Sequence, residues 1–529
     1  MLCSSSRYPS ESAFCWAATV FRVNSPKLKK RRTGTARARK KTGSPQVGTD
    51  KARLASIIAS QLTEEIVTSN LPVGAHVGTE AELMKRFGVS REPLREAIRI
   101  LEWQGLVAAS RGRRGGGLRV LSPGIDAVSG MLRTYLQLSD ISMGEVLECM
   151  GILHEYLFVQ VVMRATRTQI KKMRQMVANA RAEFEKGSTN VHLNVEISDE
   201  ILSAAPNSVG RLFQHALSET SVDFAHAGRL PRPTPGANLG TIKYFETVIN
   251  AIENRDVKTA LKTHFTILRD SAENLSALER RNSKVWNTHS FLMGDYTEAL
   301  LHISGRQKRA AGIAYKIAAY IRRNNLTPGT QISLQSADID EHGASRAVLR
   351  EAIRLLEFFG VIKVRRGNEG GLYAIAPDPA HILMFAQIYF RQMEVDPKQL
   401  TELREHLGTV AVNLCAAKLS TAGLLAIRNS AEQLSHDIDA SAASKIAREI
   451  GRLIFSYSGN RALLLFGEVL FYSGRPHSDK SIDKIYRPVQ VGERCAETVA
   501  QLSTAFLKSN EAEMIDALNA LRRIISALT

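Results

Sequence analysis

The sequence predicts a mainly α-helical chain. Two winged helix-turn-helix units (three helices plus a β-hairpin wing) are each followed by an all-helical bundle domain. Three observations carry this expectation: an internal repeat, apolar residues spaced at 3.6 over most of the chain, and a glycine-rich turn between short β-branched stretches in each repeat.

The repeat comes first because it sets the organisation. Ser90–Gly105 reads SREPLREAIRILEWQG and Ser345–Gly360 reads SRAVLREAIRLLEFFG, identical at eleven of sixteen positions with an offset of 345 − 90 = 255. The same offset maps Leu71 onto Leu326 and Gly74 onto Gly329. Gly116-Gly117-Leu118 matches Gly370-Gly371-Leu372 once one residue is dropped. Chance helical similarity does not keep turn glycines in step, so a tandem duplication is expected.

Each copy then reads in the same order. A helical stretch (about 51–69, about 308–325) ends at a Leu-x-x-Gly turn. A short second helix follows, Glu80–Phe87 in the first copy and a weaker one near Ala337–His342 in the second. Ser90 and Ser345 stand where N-caps belong, and the third helix runs toward Gly105 or Gly360. Leu106-Val107-Ala108 and Leu118-Arg119-Val120 then flank an Arg/Gly turn. Val361–Val364 and Leu372–Ile375 do the same in the second copy. Pro123-Gly124 and Pro377-Asp378-Pro379 punctuate the chain before each helical region, and Arg229–Pro235 reads as a loop inside the first.

The expected domains are a basic disordered tail 1–50, a winged helix 51–122, a helical domain 123–278, a linker 279–306, a second winged helix 307–376 and a second helical domain 377–529. Net charge is +18, and residues 1–50 hold eleven Lys/Arg against Glu11 and Asp50, so half the excess lies in the tail. Nine of the fifteen residues from Lys27 to Lys41 are basic: a solvated tail, an auxiliary phosphate-binding arm, or the product of a start site placed too far upstream. Five cysteines without a CxxC argue against a disulfide framework and against zinc, and fit a reducing cytoplasm. No apolar run is expected to approach the roughly 18 residues of a membrane span, so no membrane partner is expected.

The third helix carries the chemistry. Arg91, Arg95 and Arg99 recur every fourth residue on one face, while Leu94, Ala97, Ile98 and Leu101 line another. Arg346, Arg350 and Arg354 repeat the arrangement opposite Leu349, Ala352, Ile353 and Leu356. A guanidinium forks bidentately onto guanine or phosphate, and the start of such a helix is what enters a major groove. The competing reading is a solvated arginine face stabilised by Glu96 or Glu102. The turn, the wing and the repeat favour double-stranded DNA. Expected contacts are Ser90, Arg91 and Arg95 with wing residues Arg111, Arg113 and Arg114, and Ser345, Arg346 and Arg350 with Arg365 and Arg366. Arg99 and Arg354 lie two turns in and suit ion pairs. A nucleotide-binding loop does not fit, since no GxxxxGK[ST] is present and no helix follows the glycines.

Thr79-Glu80-Ala81-Glu82-Leu83, Phe87–Ile98, Leu101-Glu102 and Gly105-Leu106-Val107 resemble the GntR family of bacterial regulators, and within it the FadR-like branch. The resemblance implies that Arg91, Arg95, Arg346 and Arg350 touch operator DNA. It departs at Ala81 and Ser336, where the family often has an arginine, and the acidic second-helix segment of the second copy suits phosphate poorly. Glu145–Glu148 with Met163–Thr166, and Glu402–Arg404 with Ala417–Thr421, resemble the opening helices of the effector domain of that branch, and Asn207 and Gly459-Asn460 resemble a later helix end.

Many members hold a divalent metal there, which grips a carboxylate ligand. The matching positions are Asn194, Ser198, Phe245 and Ile267, then Ala447, Gly451, Val499 and Leu521, and they keep no ligand set. His192 and His264 nearby read as surface or satisfied core histidines. No metal and no cofactor are therefore expected; the expected ligand is a small organic acid or acyl compound. No acid/base pair, nucleophile–histidine set or metal cluster repeats, so no enzyme is expected. Two heads in one chain suggest an intramolecular pseudo-dimer or a homodimer with four heads. The alternative function is a ligand sensor or interaction scaffold with degenerate heads.

Overall fold

The computed structural model describes residues 49–69, 71–103, 106–110, 116–121, 125–139, 141–188, 192–227, 235–281, 305–333, 346–365, 370–435, 439–473, 488–526 and 528. The chain divides into two compact units, Met1–Ala127 and Val128–Thr529.

The first unit holds α1 (Thr49–Thr68), β1 (His76–Gly78), α2 (Glu80–Phe87), α3 (Arg91–Trp103), β2 (Val107–Ser110) and β3 (Gly117–Val120). α2 begins where the sequence dictates. Thr79 accepts from the Glu82 backbone N–H, and Glu82 accepts from the Thr79 N–H at 2.7 Å, a reciprocal capping box. It ends at Gly88, whose φ of 62° is the left-handed conformation that glycine adopts without a Cβ clash. α1 packs along α3, burying Ala55, Ile58, Leu62 and Ile66 together with Leu94, Ala97 and Leu101. The strands form an antiparallel sheet in the order β1-β3-β2, with Val107 opposite Val120 and Ser110 opposite Gly117. The sequence predicts only the hairpin. The added strand β1 is three residues, His-Val-Gly, too short to show a period of two.

The second unit starts within α4 (Ile125–Leu138). A bundle follows, of α5 (Met143–Arg164), α6 (Arg167–Glu185), α7 (His192–Ser203), α8 (Ser208–Ala227), α9 (Pro235–Glu253) and α10 (Val257–Arg281). Next come α11 (Gly305–Arg323), β4 (Gln331–Ile332), α12 (Arg346–Phe358), β5 (Ile362–Arg365), β6 (Gly371–Ala374) and α13 (Ala380–Gln392). A second bundle comprises α14 (Pro397–Lys418), α15 (Thr421–Glu432), α16 (Ala440–Tyr457), α17 (Arg461–Tyr472), α18 (Pro488–Leu507) and α19 (Glu511–Ser526).

α11, α12 and the sheet β4-β6-β5 follow the element order of the first unit. Local bonds recur at matching positions. The Glu102 carboxylate accepts from the Ala109 N–H, and Glu357 accepts from the Val364 N–H. Gly74 N–H donates to the Val120 carbonyl and Gly329 N–H to the Ala374 carbonyl, both at 2.8 Å. α12 stops at Phe358, and Gly360 turns the chain at φ 62°, where a Cβ would lie 2.4 Å from the Asp378 carbonyl oxygen. The short helix expected near Ala337–His342 lies outside the described residues, as do most of Arg229–Pro235 and of the 279–306 linker.

α5 is the core helix of the first bundle and packs against α8 and α10. By length and composition it could cross a bilayer, with a mean hydropathy of 1.5 over its best 18-residue window, which corrects the expectation that no such run exists. Its apolar character has a local cause: 72% of that window is buried in the protein, and a helix covered on all sides is apolar all round.

The two bundles meet through paired contacts. On one side the Asn207 side-chain amide donates to the Gln399 carbonyl, and the Ser208 N–H donates to Gln399 Oε1 at 2.8 Å. On the other, the Asn460 amide donates to the Glu145 carbonyl, and the Arg461 N–H donates to Glu145 Oε1 at 3.0 Å. The positions correspond: 460 − 207 = 253, 461 − 208 = 253 and 399 − 145 = 254. Between them Phe213 and Phe466, again 253 apart, stack with centroids 4.1 Å apart and planes 7° from parallel. His406 donates its Nε2–H to the Ile152 carbonyl at 3.0 Å. The two sides differ in charge. Arg461 grips both oxygens of Glu145 at 2.9 and 2.7 Å, where the opposite side pairs Ser208 with an uncharged glutamine. Burial pushes the Glu145 carboxyl up, but the bonds from Arg461 and Ser142 outweigh it and hold it below the usual carboxylate range.

The second sheet-and-helix element is fastened to helices of the same unit. Gln137 of α4 bonds the Tyr315 hydroxyl, and its carbonyl accepts from Arg322 at 2.9 Å. Phe358 at the end of α12 stacks on His381 of α13, with centroids 4.9 Å apart.

Candidate nucleic-acid interface and effector core

α3 presents its arginines as the periodicity requires. Leu94, Ala97 and Leu101 are fully buried, while the side chains of Arg91 and Arg95 are 67% and 56% exposed. Both lean on one carboxylate, Glu80, which the sequence did not mark as their partner. Arg95 Nε lies 3.3 Å from Glu80 Oε1 and 3.4 Å from Oε2, and Arg91 Nε lies 3.8 Å from Oε2. Glu80 is the first residue of α2, and the turn at Gly88 folds that end of α2 beside the start of α3. Glu102, proposed as a partner for the arginine face, instead accepts from β2, and Arg99 pairs with Glu96 at 3.5 Å. Ser90 immediately precedes α3 and is exposed. Arg119 on β3 donates to the Gly74 carbonyl, tying the wing to the turn after α1.

Of the remaining predicted contacts, Arg111, Arg113, Arg114, Ser345, Arg366 and the side chain of Arg346 lie outside the described residues. Arg350 is exposed on α12. Arg354 faces Glu351 at 3.9 Å, and Arg365 lies over the Tyr373 ring, 4.4 Å from its centroid. That cation–π contact holds Arg365 against the neighbouring strand.

The first bundle contains a polar chain that sequence reasoning missed. Tyr244 of α9, His264 of α10, His154 of α5 and Gln214 of α8 form a continuous line. His154 Nε2 faces Gln214 Oε1, which only accepts, so the proton sits on Nε2 and His154 Nδ1 is the acceptor. His264 Nε2–H then donates to it across 2.5 Å, and the Tyr244 hydroxyl donates to His264 Nδ1 across 2.6 Å. Every link is satisfied with both imidazoles neutral. Burial drives the His154 pKa down to about 4; burial and the adjacent His154 drive that of His264 well below its ordinary value. The sequence showed His264 only as a lone histidine. Its partner lies 110 residues earlier on a different helix, so no local spacing announces the pair.

At the positions matched to the metal-binding pattern, Phe245 and Leu521 are buried apolar residues, and Gly451 packs against the Phe471 ring. Asn194 Oδ1 is buried and has no hydrogen-bond partner among the described residues. Among the described residues, no three His, Cys, Asp or Glu side chains gather as a metal-binding group. In the second bundle the quartet has no counterpart. By the same offsets, Gly408, Gly467, Thr498 and Leu518 replace His154, Gln214, Tyr244 and His264. Gly467 packs against Phe455, and Gly408 against Arg522.

Comparison with known proteins bears on both regions. Residues 54–116 match the family described as bacterial regulatory proteins, gntR family, and residues 145–268 match the FCD domain. This chain is a DNA-binding transcriptional regulator with a ligand-binding effector domain.

Those families are non-enzymatic regulators. No curated protein matches the regulator. Among solved structures it is similar to Streptococcus agalactiae GntR, at 18% identity over 41% of this chain and 99% of that one, with a TM-score of 0.28. It is also similar to E. coli McbR/YncC, at 14% identity over 43% and 98%, with a TM-score of 0.24. The winged-helix match covers the regulator's α1 to β2 and therefore Glu80, Arg91 and Arg95. The FCD match covers all four members of the buried polar chain.

Proposed function

We propose that this regulator is a tandem duplication of a FadR-like unit that works as a single-chain pseudo-dimer in the cytoplasm and reads a specific DNA sequence. The exposed pair Arg91 and Arg95, on the helix that follows the turn, carries the DNA-reading part. Both guanidinium groups stand clear of the core at the end of the helix suited to a major groove. The paired contacts Asn207–Gln399 and Asn460–Glu145 support the pseudo-dimer, because a two-fold interface places residue i on j and j on i. Domains follow the limits 51–122, 123–278, 307–376 and 377–529. Ser90 and the wing arginines Arg111, Arg113 and Arg114 assist the first head, and Ser345, Arg346, Arg350, Arg365 and Arg366 serve the second.

The ligand, a small organic acid or acyl compound, binds the first helical domain. That bundle has the buried polar chain and the unpartnered Asn194 oxygen, whereas the matching centre of the second bundle has side chains that fill it. The ligand acts by favouring one arrangement of the heads.

Selection of bound duplexes from a random DNA pool tests the reading. The full chain is expected to enrich one shared motif. Enrichment without any common motif would contradict it and favour the scaffold alternative.

A further inference from the structure

We propose that Glu80 is a positioning residue for DNA reading, a carboxylate that sets the aim of Arg91 and Arg95 and keeps them from gripping phosphate indiscriminately. The inference deepens the reading that these arginines contact DNA and rests on it.

The geometry is specific about which edge is taken. Glu80 engages Arg95 through Nε, at 3.3 and 3.4 Å, and Arg91 through the same atom at 3.8 Å. A guanidinium has five N–H donors in a plane, and the bidentate grip on guanine O6 and N7 uses two of them as a fork. Among the described residues, no other hydrogen bond engages Arg95, so Nη1 and Nη2 are left for a base. Held at Nε, the long side chain loses rotamer freedom before DNA arrives, and less ordering remains for the bound state. Glu80 is itself fixed: it opens α2, whose start is locked by the Thr79–Glu82 capping box. Its negative charge also offsets two positive ones beside the DNA-facing surface. That weakens the sequence-independent attraction to phosphate more than a base contact whose geometry it supports.

The repeat contains the contrasting case. By the offset of 255 that aligns Arg91 with Arg346 and Arg95 with Arg350, Glu80 corresponds to Gln335. The second copy keeps the arginines and has an uncharged glutamine in place of the carboxylate.

The test uses the full chain, the duplex recovered from the random pool and an unrelated duplex of equal length. Affinity for both is measured across a salt series for the unmodified protein, Glu80→Gln, Glu80→Asp and the double variant Arg91→Ala/Arg95→Ala. Glu80→Gln is expected to bind the unrelated duplex several-fold more tightly, with a steeper salt dependence, and to lose about tenfold in the ratio of specific to unrelated binding. Glu80→Asp should recover part of that ratio. A role confined to stabilising α2 would shift the melting temperature and leave the ratio alone. If the ratio for Glu80→Gln stays within about twofold of the unmodified protein while the arginine variant loses the motif, the positioning role is wrong and the DNA reading stands. If the arginine variant keeps the motif, the DNA reading itself is wrong.

Discussion

Replacing Arg91 and Arg95 together by alanine is expected to weaken binding to the selected duplex about 100-fold or more. A bidentate arginine–base contact discriminates by about 1–3 kcal/mol, and every 1.4 kcal/mol is a factor of about ten. Folding should be nearly unaffected. Both side chains are more than half exposed, their one carboxylate partner is itself 41% exposed, and such surface pairs contribute roughly 0–1 kcal/mol. Fluorescence anisotropy on labelled duplex, read beside thermal unfolding, separates the two effects. A large fall in melting temperature with an unchanged affinity per folded molecule would place the arginines in the scaffold and not at the DNA.

The buried histidine pair predicts the second large effect, an acid limb in stability. His154 titrates at about 4 in the folded protein and near 6.5 when unfolded, and His264 is depressed in the same direction. The unfolded chain therefore binds more protons between those values. Stability is fully present above about pH 6.5 and falls as the pH drops toward 4. For His154 alone the loss is on the order of 3 kcal/mol, at about 1.4 kcal/mol per pKa unit. Two buried carboxylates act the other way. Burial lifts Glu155 and Glu468 to about 7, so each stabilises the fold as the pH falls from 7 toward its unfolded value. The pair is isolated by comparison with His154→Leu/His264→Phe. Unfolding free energies from urea titrations should fall less steeply for the variant between pH 6.5 and 4.5, by up to about 3 kcal/mol per pH unit if both histidines are unprotonated in the native state. Parallel curves would mean that the imidazoles titrate normally in the fold and are not sealed by burial.

What could be read in the sequence follows from the range of the interactions concerned. α2 was legible because its start is a four-residue pattern, Thr79 to Glu82, and its end is a glycine. α3 was legible because Leu94, Ala97, Ile98 and Leu101 repeat with the helical period while the arginines occupy the other face. β1 was not, since three residues next to a turn acquire strand geometry only by pairing with Arg119 and Leu118. Glu80 was missed for a related reason: its partners lie 11 and 15 residues on, across a turn whose angle the sequence does not state. The Tyr244–His264–His154–Gln214 chain draws one residue from each of four helices, and tertiary packing alone brings them together. The sequence places Asn207 and Gly459-Asn460 at a helix end, whereas Asn207 accepts from the Gly210 N–H and Asn460 from the Leu463 N–H, each at the start of the helix that follows. Their second role, donation to Gln399 and Glu145, spans 192 and 315 residues and became visible only with the fold.

The proposed pseudo-dimer requires one chain to supply both halves of the two-fold unit. Native mass spectrometry of the complex with the selected duplex tests that directly. One 58.3 kDa chain per duplex is the predicted result, since the Phe213–Phe466 face is already filled from within the same polypeptide. A complex built only from two chains per duplex, with no single-chain species at any protein concentration, would contradict it.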